Sequence, residues 1–232
     1  MVFQIKSPVG LAAKLKAASA STIAEGSELK APEQKAQPIT YLAVTDPAIK
    51  DRLGIVFDDS VSMSGSKIKE AKDGVIDFLR NCVPNQCAVA LYPMESTCHK
   101  LETNLPWLAG KVLEIEVQGY TPLVATAIKM LKQNPTLTRG IVFSDGQPDS
   151  PNTATLVAMC KERKVPLDTV YIGTEFDDAI AFMRKLAEDT GGTFIHLKPG
   201  VSMRSTFKYL APAYRGMLAD KSFVENLQNG RV

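Results

Sequence analysis

A chain of 232 residues with 45% hydrophobic and 22% charged side chains is long enough to bury one sizeable core but not two. The net charge of +2 comes from interspersed signs, which excludes an electrostatic footprint for nucleic acid or for an anionic membrane surface. No run reaches the ~20 apolar residues that span a bilayer, and Cys82, Cys87, Cys98 and Cys160 are too sparse for a disulfide framework, so the chain reads as soluble and cytoplasmic.

Residues 1–40 read as a tail or linker. Leu11 to Ala20 can make a short helix, and Lys14 and Lys16 interrupt the only candidate for an export signal. Glu25 to Pro38, "EGSELKAPEQKAQP", is charged, polar and proline-punctuated, with little to bury. Residues 41–218 read as one domain and 219–232 as a C-terminal tail.

Within the domain, short apolar runs alternate with segments of helical period. The first run, Leu53 to Phe57, precedes a helix from Ser66 to Asn81 in which Ile68, Ala71, Val75, Ile76 and Leu79 recur on one face. The second, Cys87 to Tyr92, is followed by a lesser, antiparallel strand near Thr97 to Glu102. Trp107 and its apolar neighbours read as a loop packed on the core. Next come a helix from Pro122 to Lys132, a strand from Gly140 to Phe143, a helix from Asn152 to Arg163 and a strand from Leu167 to Ile172. A helix from Asp177 to Asp189 stops at Gly191 and Gly192 before the last strand, Thr193 to Leu197, and a helix from Ser202 to Leu218 closes the domain. Runs that do not alternate suit strands buried on both faces, so the pattern predicts an α/β, Rossmann-like doubly wound sheet that is mostly parallel, with helices on both faces.

The chemistry gathers where such a sheet puts its ligands, beyond the carboxyl ends of the strands. "GIVFDDSVSMSGSK" stops a buried strand in two aspartates and a run of hydroxyls, and Asp58, Ser60 and Ser62 stand in D-x-S-x-S spacing. Thr121 in "QGYTPL" and Asp145 in "SDGQPD" occupy comparable places. All five are oxygen donors and none is histidine or cysteine, a set that selects a hard divalent cation: Mg2+, with Mn2+ or Ca2+ as substitutes. Six oxygens at ~2.1 Å surround such an ion, so these groups and waters leave one position for a partner's carboxylate. Asp59 reads as a solvated neighbour, Asp149 as a turn or cap residue, and Ser64 and Ser66 as turn and cap chemistry. Cys82, Cys87, Cys98 and His99 fit no compact zinc motif, and His196 reads as structural.

D-x-S-x-S after an apolar strand, then a threonine in G-x-T-P, then an aspartate in S-D-G, resembles the von Willebrand factor A (VWA) domain with its metal-ion-dependent adhesion site. The resemblance covers roughly Leu53 to Leu218. It implies a six-stranded sheet with one antiparallel edge strand, direct ligation by Ser60 and Ser62, and ligation by Thr121 in the ligand-competent state. It also implies that Asp58 and Asp145 act through metal-bound waters and by orienting the serines. Tyr120 departs from the small residue many relatives carry and is a candidate partner-binding residue. The missing adhesion context resembles the intracellular, prokaryotic or viral branch. There the implied role is a non-enzymatic adaptor that accepts an acidic side chain from a protein partner such as an AAA+ ATPase or an assembly subunit. The family also implies that the last helix shifts on ligation.

Two alternatives come from other classes. A Mg2+-dependent phosphatase of the haloacid dehalogenase type would use Asp58, Ser144 and the Asp177 and Asp178 pair, but Ser60 stands where that chemistry needs an acid. A structural subunit would use the metal for assembly alone.

Overall fold

The residues of the first apolar run explain the whole architecture. In β1 (Asp51–Phe57), Leu53, Ile55 and Phe57 pack into one layer of the core and Val56 into the other, so the strand is buried on both faces and needs no polar side. The structure, a computed structural model, describes residues 46–231 apart from Gln147, Pro151, Glu175, Phe176 and Pro199. The tail expected over residues 1–40 lies outside the described residues.

After β1 a short 3-10 turn leads into α1 (Ser66–Arg80), followed by β2 (Cys87–Pro93), β3 (His99–Glu102), α2 (Leu105–Glu114) and α3 (Leu123–Gln133). The chain continues through β4 (Arg139–Ser144), α4 (Ala154–Arg163), β5 (Leu167–Ile172), α5 (Asp177–Thr190) and β6 (Phe194–Leu197). It ends in α6 (Met203–Leu210), a 3-10 turn over Arg215–Ala219, and α7 (Lys221–Gln228). The six-stranded sheet has the order β3-β2-β1-β4-β5-β6. Every neighbouring pair is parallel except β2 with β3, which makes β3 the antiparallel edge.

α1, α2, α6 and α7 cover one face, with Leu108, Val75, Phe207 and Leu227 fully buried there. α3, α4 and α5 cover the other, through Leu123, Leu131, Leu156 and Met183. The contact of α1 with α6 depends on a missing side chain. A Cβ on Gly74 would lie 2.2 Å from the Phe207 ring, and that ring packs on Phe143 with centroids 4.2 Å apart. Asp77 of α1 and Arg204 of α6 pair beside this contact, Nε to Oδ2 at 2.6 Å.

The structure revises three readings. Trp107 lies in α2 rather than a loop. The Asn104 side chain accepts from Trp107 N, Pro106 stands in the first turn, and Leu105, Leu108 and Val112 are buried at helical spacing. The indole remains 40% exposed, edge-on to His99 at 5.3 Å and with Lys111 Nζ 5.5 Å from its centroid. The helix expected from Ser202 to Leu218 breaks after Leu210, because Ala211 is extended (ψ 147°) ahead of Pro212, which has no N–H to continue the ladder. Beyond Leu218, the segment read as a tail holds α7, capped by Asp220 and anchored by buried Leu227. Among the described residues no helix is long and apolar enough to cross a membrane.

Candidate functional site

Because β2 and β3 lie on one side of β1 while β4, β5 and β6 lie on the other, the connections from β1 and β4 leave in opposite directions. The crevice this opens at their carboxyl ends is where an open α/β sheet takes a ligand. Asp58 follows β1 and Asp145 follows β4, and Asp58 N donates to Phe143 O at 3.1 Å, so the two strand ends are stitched together.

The side chains form a directed chain of hydrogen bonds. Asp58 Oδ1 accepts from Ser60 N at 2.9 Å, which turns the loop back over the strand end. Its Oδ2 accepts from Ser144 Oγ at 2.5 Å. Ser62 Oγ donates to Asp145 Oδ1 at 2.7 Å and lies 2.9 Å from Ser60 Oγ. A hydroxyl has one hydrogen, so with Ser62 committed to Asp145 the shared bond must be donated by Ser60. Ser60 Oγ and Ser62 Oγ thus stand side by side with lone pairs to offer, held by carboxylates behind them.

Thr121 stands apart from these four. It is buried, but among the described residues no hydrogen bond joins its hydroxyl to the others. Its backbone is tied to the β4 loop instead: Thr121 N donates to Asp149 Oδ1 at 3.3 Å and Asp149 N to Thr121 O at 3.1 Å. Asp149, read from sequence as a turn or cap residue, is the clip that holds the threonine loop to the aspartate loop. Tyr120 projects from the same loop, 76% exposed.

Asp59 is a larger correction. It is not solvated but fully buried, and its carboxylate accepts from Glu95 N at 3.0 Å, Ser96 N at 2.9 Å and Ser96 Oγ at 2.5 Å. Its carbonyl accepts from Gln118 N at 2.7 Å, and Gln118 Nε2 donates to Ser96 Oγ. One residue therefore joins the β1 loop, the loop after β2 and the α2–α3 loop that carries Tyr120 and Thr121. Ser66 is not a cap either. Gly65, at φ 80°, holds the N-cap position of α1, while Ser64 Oγ donates to Val61 O.

The electrostatics are those of a site short of positive charge. Burial pushes the Asp58 carboxyl up, hydrogen bonds from Ser144 and Ser60 pull it back, and the charge of Asp145 pushes it up again. Lys67 Nζ contacts Asp145 Oδ2 and donates to Ser62 O at 3.3 Å. Among the described residues no group of three or more His, Cys, Asp or Glu is arranged to hold a metal. What the site offers is two carboxylates and clustered hydroxyls, a donor set that fits a hard cation and does not suit zinc. Cys82, Cys87 and Cys160 are buried thiols, and His196 bonds the Gly173 carbonyl at 3.1 Å.

No protein-family model matches the sequence, and no curated protein matches it significantly. Solved structures do. The von Willebrand factor type A protein from Catenulispora acidiphila superposes with a TM-score of 0.58 at 18% identity, over 69% of this chain and 42% of that one. The fold is that of a VWA domain. The vWF domain of the type V pili tip protein Mfa5 from Porphyromonas gingivalis gives 0.57 at 12% identity, over 72% of this chain and 95% of that domain. The SpRpn10 VWA domain gives 0.53 at 16% identity, over 71% and 96%. The VWA fold so matched is the six-stranded sheet with one antiparallel edge, and this chain spans less than half the length of the Catenulispora protein.

Proposed function

We propose that the chain is a non-enzymatic, metal-dependent protein-binding module, in which a divalent cation accepts a Glu or Asp carboxylate from a partner. Mg2+ is the expected ion, with Mn2+ or Ca2+ as substitutes. The observation that carries the reading is the paired hydroxyls of Ser60 and Ser62, aimed side by side at the β1/β4 crevice and backed by Asp58 and Asp145. When bound, the ion supplies a Lewis-acidic position open to an outside oxygen. The chain's own groups do the rest. Asp58 fixes the loop through Ser60 N, Asp145 orients Ser62, and Thr121 lies on the neighbouring loop held by Asp149. Tyr120, exposed on that loop, would line the partner's approach.

An adaptor role with an AAA+ ATPase or assembly subunit as partner rests on the resemblance, and the free thiols support a cytoplasmic setting. The VWA fold of the neighbours supports an interaction module in general terms. The phosphatase alternative is disfavoured by the placement of Asp58: fully buried, with both oxygens engaged, it is a poor nucleophile.

The test is affinity capture with the wild-type chain and Asp58→Ala, each in Mg2+ and in EDTA. A partner held only by wild type in Mg2+ is expected. One held equally under all four conditions would move the function to another surface.

A further inference from the structure

We propose that Lys67 is an internal cation that competes with the divalent ion for Asp145 and Ser62, and so sets the concentration at which the site loads. The inference rests on the metal-binding reading above. Its starting point is a lysine in the wrong place for its helix. Lys67 stands in the first turn of α1, where the partial positive charge of the helix end disfavours a cation. Its ammonium nonetheless reaches back over the site, onto Asp145 Oδ2 and within 3.3 Å of Ser62 O.

The two partners differ in their freedom to move. The Asp145 side chain is fully buried, whereas that of Lys67 is 41% exposed, with a four-carbon stem and a strongly hydrated head. Lys67 can therefore leave for water without any backbone change, while Asp145 stays where it is. A divalent ion served by Ser62 and Asp145 would meet the ammonium as a like charge at close range, so loading requires exchange of one cation for the other. Before loading, the ammonium holds Asp145 and the Ser62 loop in place. Among the described residues it is the one positive charge paired with Asp145, whose own charge bears on the neighbouring Asp58.

Removal of the charge should then have effects of opposite sign. Without metal the site loses its counter-ion and the fold should weaken. With metal the competitor is gone and binding should tighten. A lysine that only packs the loop would weaken both, and a solvated surface lysine would change neither.

The experiment is calorimetric titration of the full chain with Mn2+ alone, plus thermal unfolding in EDTA, for wild type, Lys67→Met and Lys67→Arg. We expect Lys67→Met to bind Mn2+ about tenfold more tightly than wild type and to melt at lower temperature in EDTA, with Lys67→Arg close to wild type in both. If Lys67→Met does not fold, Lys67→Gln should show the same tightening. Wild type and neutral variants that bind Mn2+ equally, or a neutral variant that binds more weakly, would overturn the role of Lys67 and leave the metal site standing. Failure of wild type and all variants to bind Mn2+ would overturn both.

Discussion

The two ends of the sheet bury carboxylates under opposite regimes. At the amino end, Asp168 of β5 is fully buried and accepts from Arg139 at 2.7 Å and from Thr193 N at 2.9 Å, with Arg215 at 3.8 Å. Guanidinium charge answers the carboxylate there: burial pulls the Arg215 guanidinium down, while Asp168 and, more weakly, Asp51 push it up against the charge of Arg139, and Asp168 Oδ2 and Arg215 Nε are left without hydrogen bonds. At the carboxyl end, Asp58, Asp59 and Asp145 are all buried and answered mainly by hydroxyls and backbone N–H groups, with Lys67 alone among the described residues supplying a charge partner. A buried carboxylate beside two guanidiniums is a closed structural pair. Buried carboxylates held by neutral donors leave an electrostatic vacancy, and that difference sets the proposed metal-binding end apart from the opposite end more clearly than burial does.

The same substitution should therefore act oppositely at the two ends. Asp168→Asn strands two partly buried guanidiniums and should cost about 3 kcal/mol in urea unfolding, the low end of the loss expected for one half of a buried pair, because both arginines keep some contact with water. Asp58→Asn keeps the shape and removes a charge that burial opposes, so in EDTA its unfolding midpoint should equal or exceed that of wild type, while stabilisation by Mg2+ disappears. A Mg2+ response that survives Asp58→Asn would erase the comparison.

Asp59 bounds it, because this carboxylate, also answered by neutral donors at the carboxyl end, latches loops together and has its oxygens already filled by three donors. Asp59→Ala removes three hydrogen bonds to a charged acceptor and should cost about 2 kcal/mol, with faster hydrogen exchange at Glu95, Ser96 and Gln118. Asp149→Ala should cost about 1 kcal/mol and weaken metal binding only as far as Thr121 contributes to it, which titration can read directly.

The smallest effect belongs to the α1–α6 clip. A hydrogen bond from Arg204 holds the Asp77 carboxyl below its ordinary value against the pull of burial, with the charges of Arg204 and Arg80 adding to the lowering. A depressed carboxyl contributes stability that is present above about pH 4 and lost as pH falls through the folded-state value. Wild type and Asp77→Asn should differ slightly in unfolding midpoint near neutrality and converge in acid. Curves that stay parallel to low pH would remove the clip from the account.

The sheet was legible in the sequence because strands buried on both faces are uninterrupted apolar runs, as in Leu53 to Phe57 and Cys87 to Tyr92. Four of the five candidate donors were legible as a group because loop spacing brings Asp58, Ser60 and Ser62 together and Asp145 ends the adjacent strand. Asp59 was not, since only the return of the chain at Glu95 and Ser96 distinguishes it from a solvated residue. Lys67 and Asp149 were hidden for the same reason, their partners lying 78 and 28 residues away. The helix around Trp107 is a different failure: Asn104, Pro106 and the spacing of Leu105, Leu108 and Val112 signalled it locally.

The position of Trp107 has a practical consequence. It is the sole tryptophan of the chain, so the tryptophan emission of the protein is that of one half-exposed indole. Its neighbour His99 has its pKa lowered by burial and by the charge of Lys111. The imidazole therefore stays neutral down to more acid conditions than a free histidine, and quenching by its protonated form is postponed. Near neutrality the fluorescence reports on α2 undisturbed by that proton, and α2 leads straight into the loop that presents Tyr120. The protein thus carries its own optical gauge of the surface a partner would touch.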